Sequence, residues 1–143
     1  MFGITNVHSM IVHFPIALII AGFLADIISL FYKKEKCLSK TGLYLMVLGT
    51  FSAIVAYVSG NFFTEHPEQG EILKVFELHE TGALISVIIL LFGIIIRVIA
   101  IENKKEDTNF KWVIFLFNLL GVIAISLTGY WGGSMVFDYM IGK

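Results

Sequence analysis

Four stretches of the chain carry no charged side chain apart from histidine: residues 1–25, 41–64, 81–96 and 112–137. A helix needs roughly 20 apolar residues to cross a hydrocarbon core about 30 Å thick, and each stretch meets or nearly meets that length. A soluble domain is about 25% charged; here 15% of the 143 residues are charged and 57% are hydrophobic. The chain therefore reads as an all-α integral membrane four-helix bundle, a single transmembrane domain over residues 1–143. A barrel strand crosses in about 9–11 residues and alternates polar with apolar, which none of these stretches does. The expected spans are TM1 at 9–32, TM2 at 42–62, TM3 at 80–101 and TM4 at 112–134.

The remaining composition narrows the function classes. A net charge of −1 excludes a basic nucleic-acid binder, and the size leaves no room for a soluble motor domain. The single cysteine, Cys37, sits in a lysine-rich connection and is expected to be a free, reduced thiol. The first apolar stretch lacks a basic n-region and exceeds the roughly 7–15 residues of a signal-peptide core, so it is read as TM1 rather than a cleaved leader. No internal repeat is evident.

Charge asymmetry orients the bundle. Lys33, Lys34, Lys36 and Lys40 join TM1 to TM2, and Arg97, Lys104, Lys105 and Lys111 flank the TM3–TM4 turn, which puts 8 of the 10 basic residues on one side. Glu65, Glu68, Glu71, Glu77 and Glu80 lie around the TM2–TM3 connection with Lys74 alone. By the positive-inside rule the lysine side is cytoplasmic, giving an N-out, C-out protein of the cell's inner (cytoplasmic) membrane. The TM2–TM3 connection also carries helix signals. Pro67, Glu68 and Glu71 resemble a helix start. Ile72, Val75, Phe76 and His79 follow at helical spacing, so TM3 is expected to open as an amphipathic helix at the outer surface.

Depth counting places the polar groups. Asp26 and Arg97 are the charges inside apolar segments, each seven residues before a lysine. An unpaired ion there costs at least about 2.5–3.5 kcal/mol, so a structural ion pair between TM1 and TM3 is the economical arrangement, with snorkelling to the interface as the alternative. His8 and His79 stand equally far from Asp26 and Arg97 and so share an outer level. Counting from Lys40 and Lys111 puts Glu65 and His66 of TM2 and Val136 to Asp138 of TM4 at that level too, with Glu80 and either Asp138 or Tyr139 sharing the rim. His13 falls deeper, level with Gly60 and Asn61 of TM2 and Tyr130 to Gly133 of TM4.

Imidazoles on separate helices beside small residues form the usual setting of a membrane haem b, with histidines as axial ligands. The small face below His79 is Gly82, Ala83, Ser86, Leu90 and Gly93, and TM4 ends in Gly129, Gly132 and Gly133. Such a face suits a planar cofactor, but it equally marks close helix packing in lipid. Histidine with carboxylate at an aqueous rim also suits a Zn, Cu or Fe ion, held by His8, His79, Glu65, Glu80 and His66; His66, beside Pro67, reads equally as a solvated loop residue. His8 and His13 are about 140° apart on a regular helix and cannot serve one small ion together. A polar group inside a span is a functional candidate by default, which singles out His13. Ser52, Tyr57, Ser59, Asn118, Ser126 and Thr128 are expected only to bond neighbouring helices or their own backbone. Trp112, Tyr130 and Trp131 read as interfacial anchors.

The stretch from His8 through His13-Phe14-Pro15-Ile16-Ala17 resembles the "HPxxVHFPIA" opening of the DUF2231 family of small bacterial and archaeal membrane proteins, whose function is uncharacterised. A histidine comparable to His79 opens the third helix, and Gly132 to Gly142 is similar to a closing "GGxLVYxHGVG". The resemblance spans the chain. Two departures stand out: Ser9 replaces the usual Pro, and Tyr139 stands where many relatives have His. The resemblance implies a four-helix membrane domain and points to His8, His13 and His79.

The leading expectation is a membrane redox protein that binds haem b near the outer face through His79 and either His13 or His8. A divalent-metal-binding or transport accessory protein, or a structural subunit without cofactor, are the alternatives. Implied partners are the lipid bilayer, a quinone or larger membrane redox complex, and a second copy of the chain. No nucleophile with a positioned base, phosphate loop or metalloprotease motif is present, so a binding or electron-transfer role is expected over a stand-alone enzyme.

Overall fold

The computed structural model describes residues 4–32, 36–63, 67, 69–106 and 108–138. The expected positions Glu65, His66 and Tyr139 lie outside the described residues. The helices are α1 (Ile4–Ile11), α2 (His13–Phe31), α3 (Lys36–Phe63), α4 (Glu71–Glu102) and α5 (Phe110–Phe137). Four are long and apolar enough to cross a membrane, over His8–Phe31, Cys37–Phe62, Glu71–Glu102 and Phe110–Phe137. TM1 is therefore α1 plus α2, and TM2, TM3 and TM4 are α3, α4 and α5.

TM1 is interrupted at Val12, between α1 and α2. Pro15 explains the site of the break. Its nitrogen has no proton for the carbonyl of Ile11, four residues back, and its ring crowds that carbonyl. Val12 keeps right-handed helical backbone (φ −63°, ψ −20°) and donates to the His8 carbonyl at 3.1 Å, so the chain winds on past the missing bond and His8 and His13 stay about 140° apart.

The other helices outrun the apolar spans at their polar ends. α4 has 32 residues, about 48 Å at 1.5 Å per residue, against a core about 30 Å thick. Its first turns are amphipathic: Phe76 is buried while Glu71, Lys74 and Glu77 are exposed. The helix begins at Glu71 rather than at the Pro67 signal because Gly70 takes φ 97°, a conformation glycine adopts readily and which ends the incoming chain. Glu71 then occupies the positive end of the helix dipole.

Packing is inverted relative to a soluble bundle. Phe14, Phe31, Phe51, Phe62, Phe92 and Phe137 are all more than half exposed and face where lipid tails lie. The interior is built from Ile19, Met46, Ala53, Leu90 and Ile125, with glycines at the closest approaches. TM1 packs most extensively on TM2 and TM3 on TM4, giving two hairpins that meet along a sparser seam.

At the lysine-bearing end that seam is stapled by a polar network. Arg97 of TM3 donates from Nη1 to Asp26 Oδ2 at 2.7 Å and from Nη2 to Asp26 Oδ1 at 2.8 Å. It also donates to the Ser39 carbonyl at 2.6 Å, and the Asn118 amide donates to Asp26 Oδ2 at 2.8 Å. One carboxylate and one guanidinium thereby tie all four spans together. The paired, hydrogen-bonded geometry is what makes charges tolerable at this depth.

Candidate cofactor site

At the opposite end the two hairpins part around a cavity of about 340 Å³, within the range of small-ligand pockets. All four spans line it. His8 and His13 come from TM1, Tyr57 and Asn61 from TM2, His79, Glu80 and Ala83 from TM3, and Thr128 and Gly133 from TM4. Its wall is mainly apolar, with His8, His13, His79, Glu80 and Asn61 among its polar groups.

Glycine contacts set the register that brings the histidines there. In the first hairpin a Cβ on Gly49 would meet Ile19 Cγ1 at 2.6 Å, one on Gly42 would overlap the Asp26 carboxylate, and one on Gly60 would lie 3.1 Å from His8 Cε1. In the second, a Cβ on Gly121 would meet Leu90, and one on Gly132 would lie 3.0 Å from His79 Cε1. His8 thus stands opposite Gly60, and His79 stands opposite Gly132 rather than Val136 to Asp138. Both lie about a turn and a half deeper, at 1.5 Å per residue, than lysine counting indicated. The reason is that long lysine side chains snorkel and mark the interface loosely, whereas glycine-to-side-chain contact fixes register directly.

The small faces divide between two uses. A Cβ on Gly82 would meet Thr128 Oγ1 and Trp131, and one on Gly93 would meet Phe117 and Asn118, so these glycines serve TM3–TM4 packing. Ala83, Gly60, Gly129 and Gly133 line the cavity instead, and nothing lies within 4 Å of a Cβ placed on Gly133.

Each imidazole is held through Nδ1. His79 donates to the Thr128 carbonyl at 2.9 Å. A carbonyl only accepts, so the proton sits on Nδ1 and the neutral ring carries its lone pair on Nε2. His13 donates to the Ser9 carbonyl at 2.7 Å, across the break in TM1. The bond returns the ring to its own span, four residues back, and gives a polar side chain a partner at that depth. His8 Nδ1 lies 2.8 Å from Ser59 Oγ. His8 and His79 both line the cavity. Among the described residues, no group of three His, Cys, Asp or Glu side chains is gathered closely enough to hold a metal ion.

Ser59 and Thr128 are the contributors that sequence reasoning did not assign to the site. Ser59 and Thr128 do bond their own backbone, at Ala56 and Ala124, but they also stand against the histidines. Hairpin register is the signal that would have found them, since pairing Gly42 with Asp26 places Gly60 opposite His8.

A family model described as "Predicted membrane protein (DUF2231)" matches residues 4–143. The chain belongs to the DUF2231 family. No curated protein matches it, and no solved structure does. For this DUF2231 protein the description establishes a membrane protein and leaves the chemistry of the cavity to be argued from its residues.

Proposed function

We propose that the protein is a small membrane redox protein that binds haem b in the cavity, with His79 and a TM1 histidine as axial ligands. It exchanges single electrons with a quinone or a larger membrane redox complex. In this reading the lysine-bearing end is cytoplasmic, by the positive-inside rule, and the cavity faces outward from the inner membrane.

The observation that carries the reading is the bond from His79 Nδ1 to the Thr128 carbonyl. Histidines that ligate metals nearly always donate the other ring nitrogen to a fixed acceptor, which sets the tautomer and orients the ring. The surroundings agree with a porphyrin more than with a bare ion. The cavity is mainly apolar, small residues open its wall, and two histidines are all that axial coordination requires. When bound, the haem iron supplies one-electron chemistry; the chain's part is to hold the two imidazoles and exclude water around the macrocycle.

The test is the absorption spectrum of the purified protein, produced with adequate haem, before and after dithionite. A Soret band and a sharp α band on reduction are expected. Their absence overturns the haem reading. Stoichiometric Zn, Cu or Fe without porphyrin would instead favour an ion held with Glu80, which lines the same cavity. No metal and no porphyrin would leave a structural subunit.

A further inference from the structure

TM1 offers two histidines, and the haem reading alone does not choose between them. We infer that Ser59 of TM2 makes His8, not His13, the second axial ligand, by accepting the His8 Nδ1 proton and so turning the Nε2 lone pair to the cofactor. This inference rests on the proposed haem site and names its second ligand and the residue that positions it.

Three observations carry it. The first is hydrogen-bond direction. Ser59 Oγ donates its one proton to the Ala56 carbonyl at 2.8 Å, so at 2.8 Å from His8 Nδ1 the hydroxyl is left as an acceptor. A buried hydroxyl committed in this way leaves His8 as the donor.

The second is rigidity across the bundle. Ser59 is 5% exposed, and Gly60 beside it lets the imidazole lie against the TM2 backbone, 3.1 Å from where a Cβ would stand. His8 is thus fixed on a neighbouring helix. His13 is exposed, and its bond runs to the Ser9 carbonyl of its own span, which does not anchor it to a neighbouring helix.

The third is placement across the seam. His8 is held within the TM1–TM2 hairpin by Ser59, and His79 within the TM3–TM4 hairpin by Thr128. The two rings are therefore anchored in opposite hairpins and line the same cavity, from which both could reach a group held between them.

Two measurements test this separately from the haem reading. In cofactor-free protein labelled with 15N-histidine, the His8 nitrogens should report Nδ1 protonated and Nε2 bare; Ser59→Ala should give mixed tautomers, and Ser59→Thr should restore the wild-type pattern. A wild-type His8 with its proton on Nε2 overturns the inference, whether or not haem binds. In haem-loaded protein, His8→Ala should convert six-coordinate low-spin haem to five-coordinate, while His13→Ala should leave it low-spin. Ser59→Ala should weaken haem binding about 10–100-fold and shift the midpoint potential, with Ser59→Thr recovering both. Loss of the low-spin signature in His13→Ala but not His8→Ala overturns it. Wild-type protein that takes up no haem refutes the proposed function, and the tautomer measurement still decides the role of Ser59.

Discussion

Arg97 grips Asp26 with two parallel hydrogen bonds, Nη1 to Oδ2 at 2.7 Å and Nη2 to Oδ1 at 2.8 Å. The same carboxylate takes the Asn118 amide and the same guanidinium reaches the Ser39 carbonyl. This fork joins the two hairpins at one end, while His8 and His79 stand on either side of the cavity at the other. Removing one partner leaves a buried charge alone, which costs about 3–5 kcal/mol, whereas replacing both by apolar groups of similar volume is often close to neutral. Arg97→Met and Asp26→Leu should each lower stability by about 3 kcal/mol, and the double variant should recover most of that loss. Unfolding in mixed micelles at rising denaturing-detergent fraction measures it; additive losses in the double variant would show that the pair is not the staple.

Gly132 and Gly133 are adjacent and chemically identical, yet they face different surroundings. A methyl group on Gly132 would stand 3.0 Å from His79 Cε1, while one on Gly133 meets nothing within 4 Å. Gly132→Ala should therefore displace the His79 ring and reduce haem retention, at a stability cost of about 1 kcal/mol for overpacking. Gly133→Ala should match the wild type in thermal stability and leave the His79 ring in place. The comparison is read from haem-to-protein ratio and thermal unfolding, and equal behaviour of the two variants would contradict the assigned contact.

Pro15 interrupts TM1 because residue 15 offers no N–H to the Ile11 carbonyl. Pro15→Ala restores that donor and should fuse α1 and α2 into one helix. Because Val12 already holds helical backbone, the added bond should leave His8 against Ser59, with the His8 tautomer and haem retention unchanged while overall helicity holds or rises. Histidine nitrogen spectra together with circular dichroism check this.

Cys37 is exposed and begins TM2 at the lysine-bearing end. If that end is cytoplasmic, a membrane-impermeant maleimide should leave Cys37 unlabelled in intact cells and label it fully after permeabilisation. A cysteine placed at Glu77, which is exposed near the start of α4, should show the reverse. Labelling of Cys37 in intact cells would invert the orientation.

Much of the fold was legible in the chain because lipid is an exacting solvent. A helix must be long and uncharged to cross it, so the four uncharged runs determined the number of spans and the all-helical class. The cost of isolated ions at depth drew attention to Asp26 and Arg97, and equal spacing from them placed His8 and His79 on one level. What periodicity and charge could not set was register between helices. Lysines locate the interface only to within their own reach, and so the counts set His8 opposite Glu65. Register depends on van der Waals contact at glycines distant in sequence, such as Gly42 against Asp26 and Gly121 against Leu90, and only the tertiary structure brings those together. The same holds for the histidines. Their presence at one end was written in the sequence, but that His8 is seated on Ser59 and His79 on the Thr128 carbonyl was decided by packing, because hydrogen-bond partners on other helices exist only once the hairpins have formed.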